Sequence, residues 1–416
     1  MNMTGTRMVE VHPFRALRYH EGKSESWGSV ISPPYDVIDP EEQERLHQLS
    51  PYNIVRLILG RRQEADSDNE NWYLRAKRDF DSWRRNGILS QDATPALYLV
   101  EHRFTFNGKP HARLGFTALL ELQEDVSRSV HRHEQTLSGP KADRTRLLET
   151  IPANLESIFL VYPDDGGKLE MRLRAIAERQ APTSRAAVAK GEEIRLWAVV
   201  DTELVLAVKK HLGSVPLLIA DGHHRFEVAF AHRQRYKALM SHFVSMADGG
   251  LIVQAIHRLI PWEKPGVLEK LRDLCDLTPQ ADRQAALQTL GAQSAPGRFA
   301  VCHRGRIYSA TVKPERLEAW LAAPSVHAEL AGLDVSILHG LILPALEIPA
   351  SAVIYHADPA RVERQAAETS HGTAWLLRPI PLPVIHRLAS GGHVLPPKST
   401  YFYPKVWSGL TINPLA

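Results

Sequence analysis

Five consecutive residues, Asp221-Gly222-His223-His224-Arg225, bring together a carboxylate, a glycine, two imidazoles and a permanent cation. That mixture suits an anion, phosphate above all: Gly222 lets the chain turn tightly beneath a ligand, and a guanidinium matches phosphate geometry. The plain alternative is an Asp-Gly turn leading into a solvated helix start. A metal is less well served, because adjacent histidines on a helix point about 100° apart. His223 and Glu227 have four-residue spacing, but no third ligand follows at a zinc-like interval.

Three more stretches carry reactive side chains. His131 to Arg144 packs His131, Arg132, His133, Glu134, Thr136, Ser138, Lys141, Asp143 and Arg144 around a Gly139-Pro140 break. Read as chemistry, it supplies cations for charge, hydroxyls to orient oxygens and a carboxylate for a proton; read plainly, it is a crowded surface loop. In Pro33-Pro34-Tyr35-Asp36, tandem prolines stiffen the backbone and hold Tyr35 and Asp36 in place. Asp36 is then either a positioned proton acceptor or the cap of the following helix, which is rich in Glu41, Glu42 and Glu44. Leu395 to Lys405 crowds aromatic and basic residues between prolines, as a flap over a site or as a tail packing its rings on the body.

Apolar periodicity predicts the elements that position these groups. Leu217 to Ala220 read as a short buried strand, Asp221-Gly222 as a turn, and Phe226 to Met240 as a helix, so the two histidines and Arg225 fall where strand hands over to helix. Such a junction offers backbone N–H groups and the positive end of a helix dipole. Upstream, Val30-Ile31 and Tyr52 to Leu59 read as strands and Asn69 to Asn86 as an amphipathic helix stopped by Gly87. Ala96 to Phe106 and Ala112 to Leu122 form a hairpin about Asn107-Gly108. Strands are expected at Asn154 to Tyr162, Arg195 to Val200, Phe243 to Met246 and Leu251 to Ile256. Beyond Pro261 the pattern gives helices at Gly266 to Leu277 and Ala281 to Leu290, strands at Arg298 to Cys302 and Arg306 to Val312, then alternating helix and strand through Leu377. The texture is α/β, or α+β mixed. It divides into a core over residues 1–260, which carries the Asp36, His133 and Asp221 stretches and is the expected catalytic part, and a C-terminal α/β lobe over 261–416 whose tail is expected to close on the core.

With 416 residues, 44% of them hydrophobic, the chain can bury a large core. Fifty basic against 47 acidic residues leave a net charge of +3, which gives no global argument for a nucleic acid or membrane partner. Cys275 and Cys302 are isolated, as suits a reducing compartment. Met1 to Arg7 lacks a signal-peptide layout, and no apolar run approaches the roughly 20 residues of a membrane span. A cytoplasmic protein is expected.

Several of these segments, in this order, resemble the DUF1015 family almost end to end. The matching residues are Pro13 to Leu17, Pro33 to Ile38, His133 to Thr136, Ala220 to Arg225, His257-Arg258 and Lys398 to Lys405. The Asp221 to Arg225 motif is also similar to that of free serine kinases, whose fold is shared with ParB partition proteins and sulfiredoxin. This second resemblance covers the central region only. It implies a ParB/sulfiredoxin-like core, ATP or ADP as phosphoryl donor with Mg2+, and a hydroxyl acceptor such as serine.

The kinases' glutamate base has no secure counterpart here, so Asp36, Glu134 and His224 are the candidate catalytic residues, with Asp36 preferred as the base. Phosphate contacts are expected from Asp221, Gly222, His223, His224, Arg225, Thr136, Lys141 and Arg144. Substrate contacts are expected from Arg15, Tyr35, His133, Lys398, Ser399 and Thr400. No metal site of the protein's own is expected, and oligomeric state is open. The sequence contains neither a P-loop nor a protein-kinase motif set. The competing reading is a non-catalytic, nucleotide-binding regulator on the ParB side of the resemblance.

Overall fold

In the computed structural model, residues 9–20, 22–23, 26–136, 138–261, 266–292, 294–323, 327–369 and 372–415 are described. Met1 to Arg7 and Leu137 lie outside them. The chain separates into two compact units. The first comprises Met1–Arg132, Thr136–Ile252 and Pro404–Ala416; the second comprises His133–Gln135 and Val253–Tyr403. Among the described residues, no helix is long and apolar enough to cross a membrane.

The first unit is built on a mixed sheet. In chain order its strands are β1 (Val11–His12), β2 (Leu97–Phe106), β3 (Lys109–Glu121), β4 (Val130–His131), β5 (Ile158–Tyr162), β6 (Ser184–Ala187), β7 (Glu193–Val199), β8 (Leu217–Asp221) and β9 (Ala238–Ser245). They lie in the order β4-β8-β5-β9-β3-β2-β7-β6, with β1 added to β3. The pairs β4/β8 and β5/β9 are parallel and the others antiparallel. Asn107 and Gly108 both take positive φ, 50° and 73°, the two-residue turn that the β2/β3 hairpin needs.

Both sheet faces are buried, so alternate residues enter different cores. Leu97 and Leu99 pack with Leu204, Val208, Leu217 and Ile219, while Tyr98 and Val100 pack with Trp72, Phe80 and Trp83. Helices cover each face. These are α1 (Pro40–Leu49), α2 (Trp72–Arg85), α3 (Ser138–Thr150), α4 (Lys168–Arg179), α5 (Thr202–Leu212) and α6 (His223–Ala231). Side-chain caps start three of them: Asp39 on α1, Asn71 on α2 and Asp201 on α5.

The second unit carries a second sheet. Its strands are β10 (His257–Ile260), β11 (Cys275–Gln280), β12 (Arg298–His303), β13 (Arg306–Val312), β14 (Ile354–His356) and β15 (Thr373–Leu376). Their order is β11-β13-β12-β15-β10-β14, antiparallel throughout. Val362 and Ala366, from the helix at Pro359–Glu368, and Ala286, from the helix at Arg283–Gly291, pack with Leu259, Ala300 and Leu376 of the sheet. The whole is a mixed α/β protein with one large mixed sheet.

Tertiary context overrides local pattern at several points. Tyr52 to Leu59 is not a strand but holds a helical turn at Val55–Ile58. Asn53 sits at its head, its Oδ1 accepting from Val55 N–H at 2.9 Å while its Nδ2 donates to the Ser29 carbonyl at 2.8 Å. Val30 likewise closes a helical turn, Trp27–Val30, and sheet-like pairing begins only at Ser32, opposite Ser408. The helix expected over Phe226 to Met240 starts at His223 and stops at Ala231, where the His232 ring bonds the Val228 carbonyl at 2.8 Å. Met240 lies instead in β9, a central strand paired on both sides. Gly139 and Pro140 do not break α3 but form its first turn, where proline's missing N–H has no helical partner to lose. Residues 275–277, expected to be helical, begin β11, because β13 offers them a ladder. Helix α5 had no counterpart in the sequence reading.

Candidate active site

The Asp221 junction forms as its sequence suggests, with one addition. Register between β8 and β5 runs Leu218 to Val161 and Ile219 to Leu160, then shifts so that Asp221 opposes Phe159. Leu217 and Ile219 point into an apolar core. Strict alternation would send Asp221 after them; the extra residue, Ala220, re-aims it. Gly222 follows at φ 88°. A Cβ there would stand 3.0 Å from Ile158 Cγ2 and 3.2 Å from the Arg225 guanidinium carbon, so both backbone conformation and close approach select glycine. The first intrahelical bond of α6 runs from Phe226 N–H to the Gly222 carbonyl at 2.9 Å. The N–H groups of His223, His224 and Arg225 therefore precede the helix's own ladder, at the positive end of its dipole.

Arg225 folds back over Gly222. Its Nη2 donates to Asp221 Oδ2 at 2.9 Å and its Nη1 to the Ser157 carbonyl at 2.5 Å. Lys405 Nζ donates to the other oxygen, Asp221 Oδ1. Burial opposes ionisation of Asp221. The charges of Lys405 and Arg225, the Lys405 hydrogen bond and the nearby His223 outweigh it, and the pKa falls to about 2.

Asp36 joins the same cluster from a different part of the chain. Ser32 exchanges two backbone hydrogen bonds with Ser408, at 3.2 and 2.8 Å, and Pro33-Pro34 carry the chain into a single turn at Tyr35–Val37. Buried Glu156 anchors that turn: its Oε1 accepts from Tyr35 N–H at 3.2 Å and from Ser408 Oγ at 3.0 Å. Arg144 lies 3.9 Å from the centre of the Tyr35 ring, and burial pushes the Tyr35 phenol up to about 12. Asp39, not Asp36, caps α1, accepting from Glu42 N–H at 2.9 Å. Among the described residues no hydrogen bond or ion pair reaches the Asp36 carboxylate. The residue keeps a solvent-facing surface, yet protein crowds the space around it. That crowding, then the Asp221 charge, raises its pKa, against the pull of Lys405 and Arg225. Two aspartates in one cluster are thus driven in opposite directions.

The other expected contacts distribute as follows. Arg144 is buried, its Nε and Nη2 on Asp143 at 2.9 and 2.5 Å and its Nη1 on the Ile58 carbonyl at 3.0 Å, so it braces the Tyr35 turn. Thr136 Oγ1 and Lys141 Nζ meet Glu227 Oε2 at 2.8 and 3.1 Å, and Arg132 Nη1 meets Glu227 Oε1 at 2.9 Å. Glu227 answers three donors rather than pairing with His223 for a metal. Arg15 is exposed, its Nε on the Asp92 carbonyl at 2.8 Å. His223 is buried and His224 half-buried on the first turn of α6. Of the candidates, Tyr35, Asp36, Asp221, Gly222, His223 and Arg225 come together.

His133, Glu134, Lys398, Ser399 and Thr400 belong to the second unit, where they form a group of their own. The His133 ring meets Thr400 Oγ1 at 2.8 Å, Glu134 Oε1 accepts from Lys398 N–H at 3.2 Å, and Ser399 Oγ donates to the Pro396 carbonyl at 2.5 Å. Buried Arg258 donates to the Lys398 carbonyl at 3.0 Å.

Sequence reasoning passed over Glu156 and Lys405. The signal for Glu156 was a carboxylate at the head of an otherwise apolar run; Lys405 stood inside a quoted motif without a role. A carboxylate-histidine group, Glu10, His12 and Glu121, lies elsewhere on β1 and β3. The Lys209 ammonium faces its His12 Nδ1 at 3.4 Å, an arrangement unfavourable to a cation on that ring.

The family described as "Protein of unknown function (DUF1015)" matches residues 11–336. No curated protein matches. Among solved structures, a conserved hypothetical protein from Pyrococcus furiosus is 14% identical over 70% of this chain and 92% of that one, with a TM-score of 0.35. A free serine kinase in complex with AMP is 14% identical over 69% and 86%, TM-score 0.35. SbnI with a C-terminal truncation, from Staphylococcus aureus, is 11% identical over 71% and 87%, TM-score 0.38. Likenesses this distant carry no assignment.

Proposed function

We propose that this chain, which belongs to the DUF1015 family of proteins of unknown function, is a phosphotransferase that moves a phosphoryl group from ATP or ADP to the hydroxyl of a small metabolite such as serine. The observation that carries the reading is the cluster at the N-terminus of α6, where Asp221 is bonded to Lys405 and Arg225 while Asp36, on the Tyr35–Val37 turn, bears on the same charges with its carboxylate unbonded among the described residues and its pKa raised.

In this reading the amides opening α6 receive the donor's phosphate oxygens. Asp36 accepts the acceptor's hydroxyl proton as its oxygen bonds to the transferred phosphorus; the bond from that phosphorus to the leaving phosphate breaks, and the nucleotide departs one phosphate shorter. Lys405 supplies positive charge where negative charge builds, and Asp221 fixes it there. Arg225 and Arg144 are positioning residues. A Mg2+ brought in with the nucleotide would supply further charge neutralisation at its phosphates; both Asp221 oxygens meet cations, so Asp221 is not the residue that would hold it.

The test is incubation with labelled ATP or ADP and a pool of hydroxyl metabolites. A phosphorylated small molecule, lost by about 10²- to 10⁴-fold in Asp36→Asn while the protein stays folded, is the expected outcome. Nucleotide binding without turnover would replace the kinase with the regulator.

A further inference from the structure

A second buried cation lies behind Lys405. Arg113, in β3, is 3% exposed. Its Nη1 donates to the carbonyl of Pro404, the residue immediately before Lys405. Proline has no N–H, so that carbonyl is the one backbone hydrogen-bonding group by which Pro404 can be held. The Arg113 guanidinium also stands 4.8 Å from the centre of the Phe159 ring. Phe159 is the register partner of Asp221 in β8 and of His242 in β9. One guanidinium therefore touches both the strand beside Asp221 and the backbone beside the lysine that neutralises it.

We infer that Arg113 is a positioning residue that sets the Lys405 ammonium on Asp221 through the Pro404 carbonyl. A lysine stem has four rotatable bonds, and a short contact at its tip is maintained only when its root is fixed. Lys405 is the second residue of the C-terminal segment that belongs to the first unit. The Ser32/Ser408 pairing holds that segment three residues further on, and Arg113 holds it one residue before.

Two titratable rings that feel the Arg113 charge, His102 and His242, do not compete for it. His102 and His242 are both shifted down, first by burial and then by charges that include Arg113, which keeps them neutral at pH 7. His242 Nδ1 meets Thr117 Oγ1 at 3.1 Å and His102 Nε2 meets Glu192 at 2.7 Å, so each ring has its own partner.

The inference deepens the phosphotransfer reading of the Asp221 and Lys405 pair, but its test does not depend on turnover. Arg113→Met, Lys405→Met and the double variant are compared by thermal unfolding between pH 2.5 and 8. Arg113→Met is expected to lower the melting midpoint at pH 7 by up to about 5 °C, as Lys405→Met does, with a difference from wild type that narrows as pH falls below 4, because Asp221 loses the same charge. The double variant should go no further than Lys405→Met alone. Arg113→Lys, which keeps a buried cation and an N–H donor beside the Pro404 carbonyl, should recover more of the pH 7 stability than Arg113→Met. If Arg113→Met does not fold, the cycle is run with Arg113→Gln, too short for that carbonyl, with the same criteria. Additive effects, or a loss of stability that stays constant from pH 2.5 to 8, overturn the inference. Absence of phosphotransfer in the wild type would remove the kinase reading and leave this result standing.

Discussion

Replacing Lys405 by methionine removes one of the two cations on Asp221 and keeps a side chain of similar length. In the folded protein the Asp221 pKa is lowered from 3.8 to about 2. A shift of nearly two units, at about 1.4 kcal/mol each, is about 2–3 kcal/mol of stability, of which Lys405 supplies the largest favourable part. The Asp221 side chain is 12% exposed, so solvent screening takes little from this. The sign follows from the direction: a carboxyl whose folded pKa is depressed stabilises the protein above its unfolded pKa, near 4, and that contribution is lost as pH falls through about 2.

In Lys405→Met, burial opposes ionisation with Arg225 as the remaining close cation, and the Asp221 pKa returns to the ordinary range or above. The variant should be less stable than wild type by about 2 kcal/mol at pH 7, below the 3–5 kcal/mol typical of a wholly abandoned buried charge because Arg225 stays in place. That is roughly 5 °C in melting midpoint for a unit of this size. Calorimetric scans of both proteins from pH 2.5 to 8 measure the difference, which should narrow as pH falls below 4. A difference that stays constant across that range, or none at pH 7, refutes the account of Asp221.

If Asp36 is the base, turnover should rise with pH through a midpoint above the usual aspartate value, since its raised pKa keeps it protonated longer; a pH–rate profile without a carboxylate limb removes it from that role. Gly222→Ala forces a left-handed conformation and a contact at 3.0 Å with Ile158, and should cost about 1–3 kcal/mol in denaturant unfolding. Asp39→Ala should cost about 1 kcal/mol of stability, through loss of the α1 cap, and leave turnover unchanged; an effect on turnover would show that the Asp36 turn depends on that cap.

Much of the frame is legible in the sequence because local chemistry dictates it. Asn107-Gly108 specifies a two-residue turn whatever surrounds it, Asn71 caps the helix carrying Trp72, Phe80 and Trp83, and Gly222 marks the tight junction after β8. The helix and strand pattern from Arg298 to Leu376 is also local, and it gives the mixed α/β character directly. The failures share a cause: at Ile54-Val55, Leu57-Ile58 and Leu239-Met240 adjacent apolar residues are all buried, so periodicity cannot distinguish a buried turn from a buried strand. Which one forms depends on whether a neighbouring edge needs pairing.

The candidate site divides in the same way. Residue types at Asp221, Gly222 and Arg225 announce a strand-to-helix corner, and tandem prolines announce a rigid Tyr35-Asp36 turn. Only the folded chain determines that Lys405 stands on Asp221, that Glu156 and Arg144 hold the Tyr35 turn, and that Asp39 rather than Asp36 serves as the cap. It also assigns Glu134 to the second unit and gives Thr136 and Lys141 to Glu227. A sequence fixes what each side chain is able to bond; partners more than 100 positions away are chosen by sheet register, by one bulged residue at Ala220, and by the cations that hold Asp221 ionised while Asp36 beside it is raised.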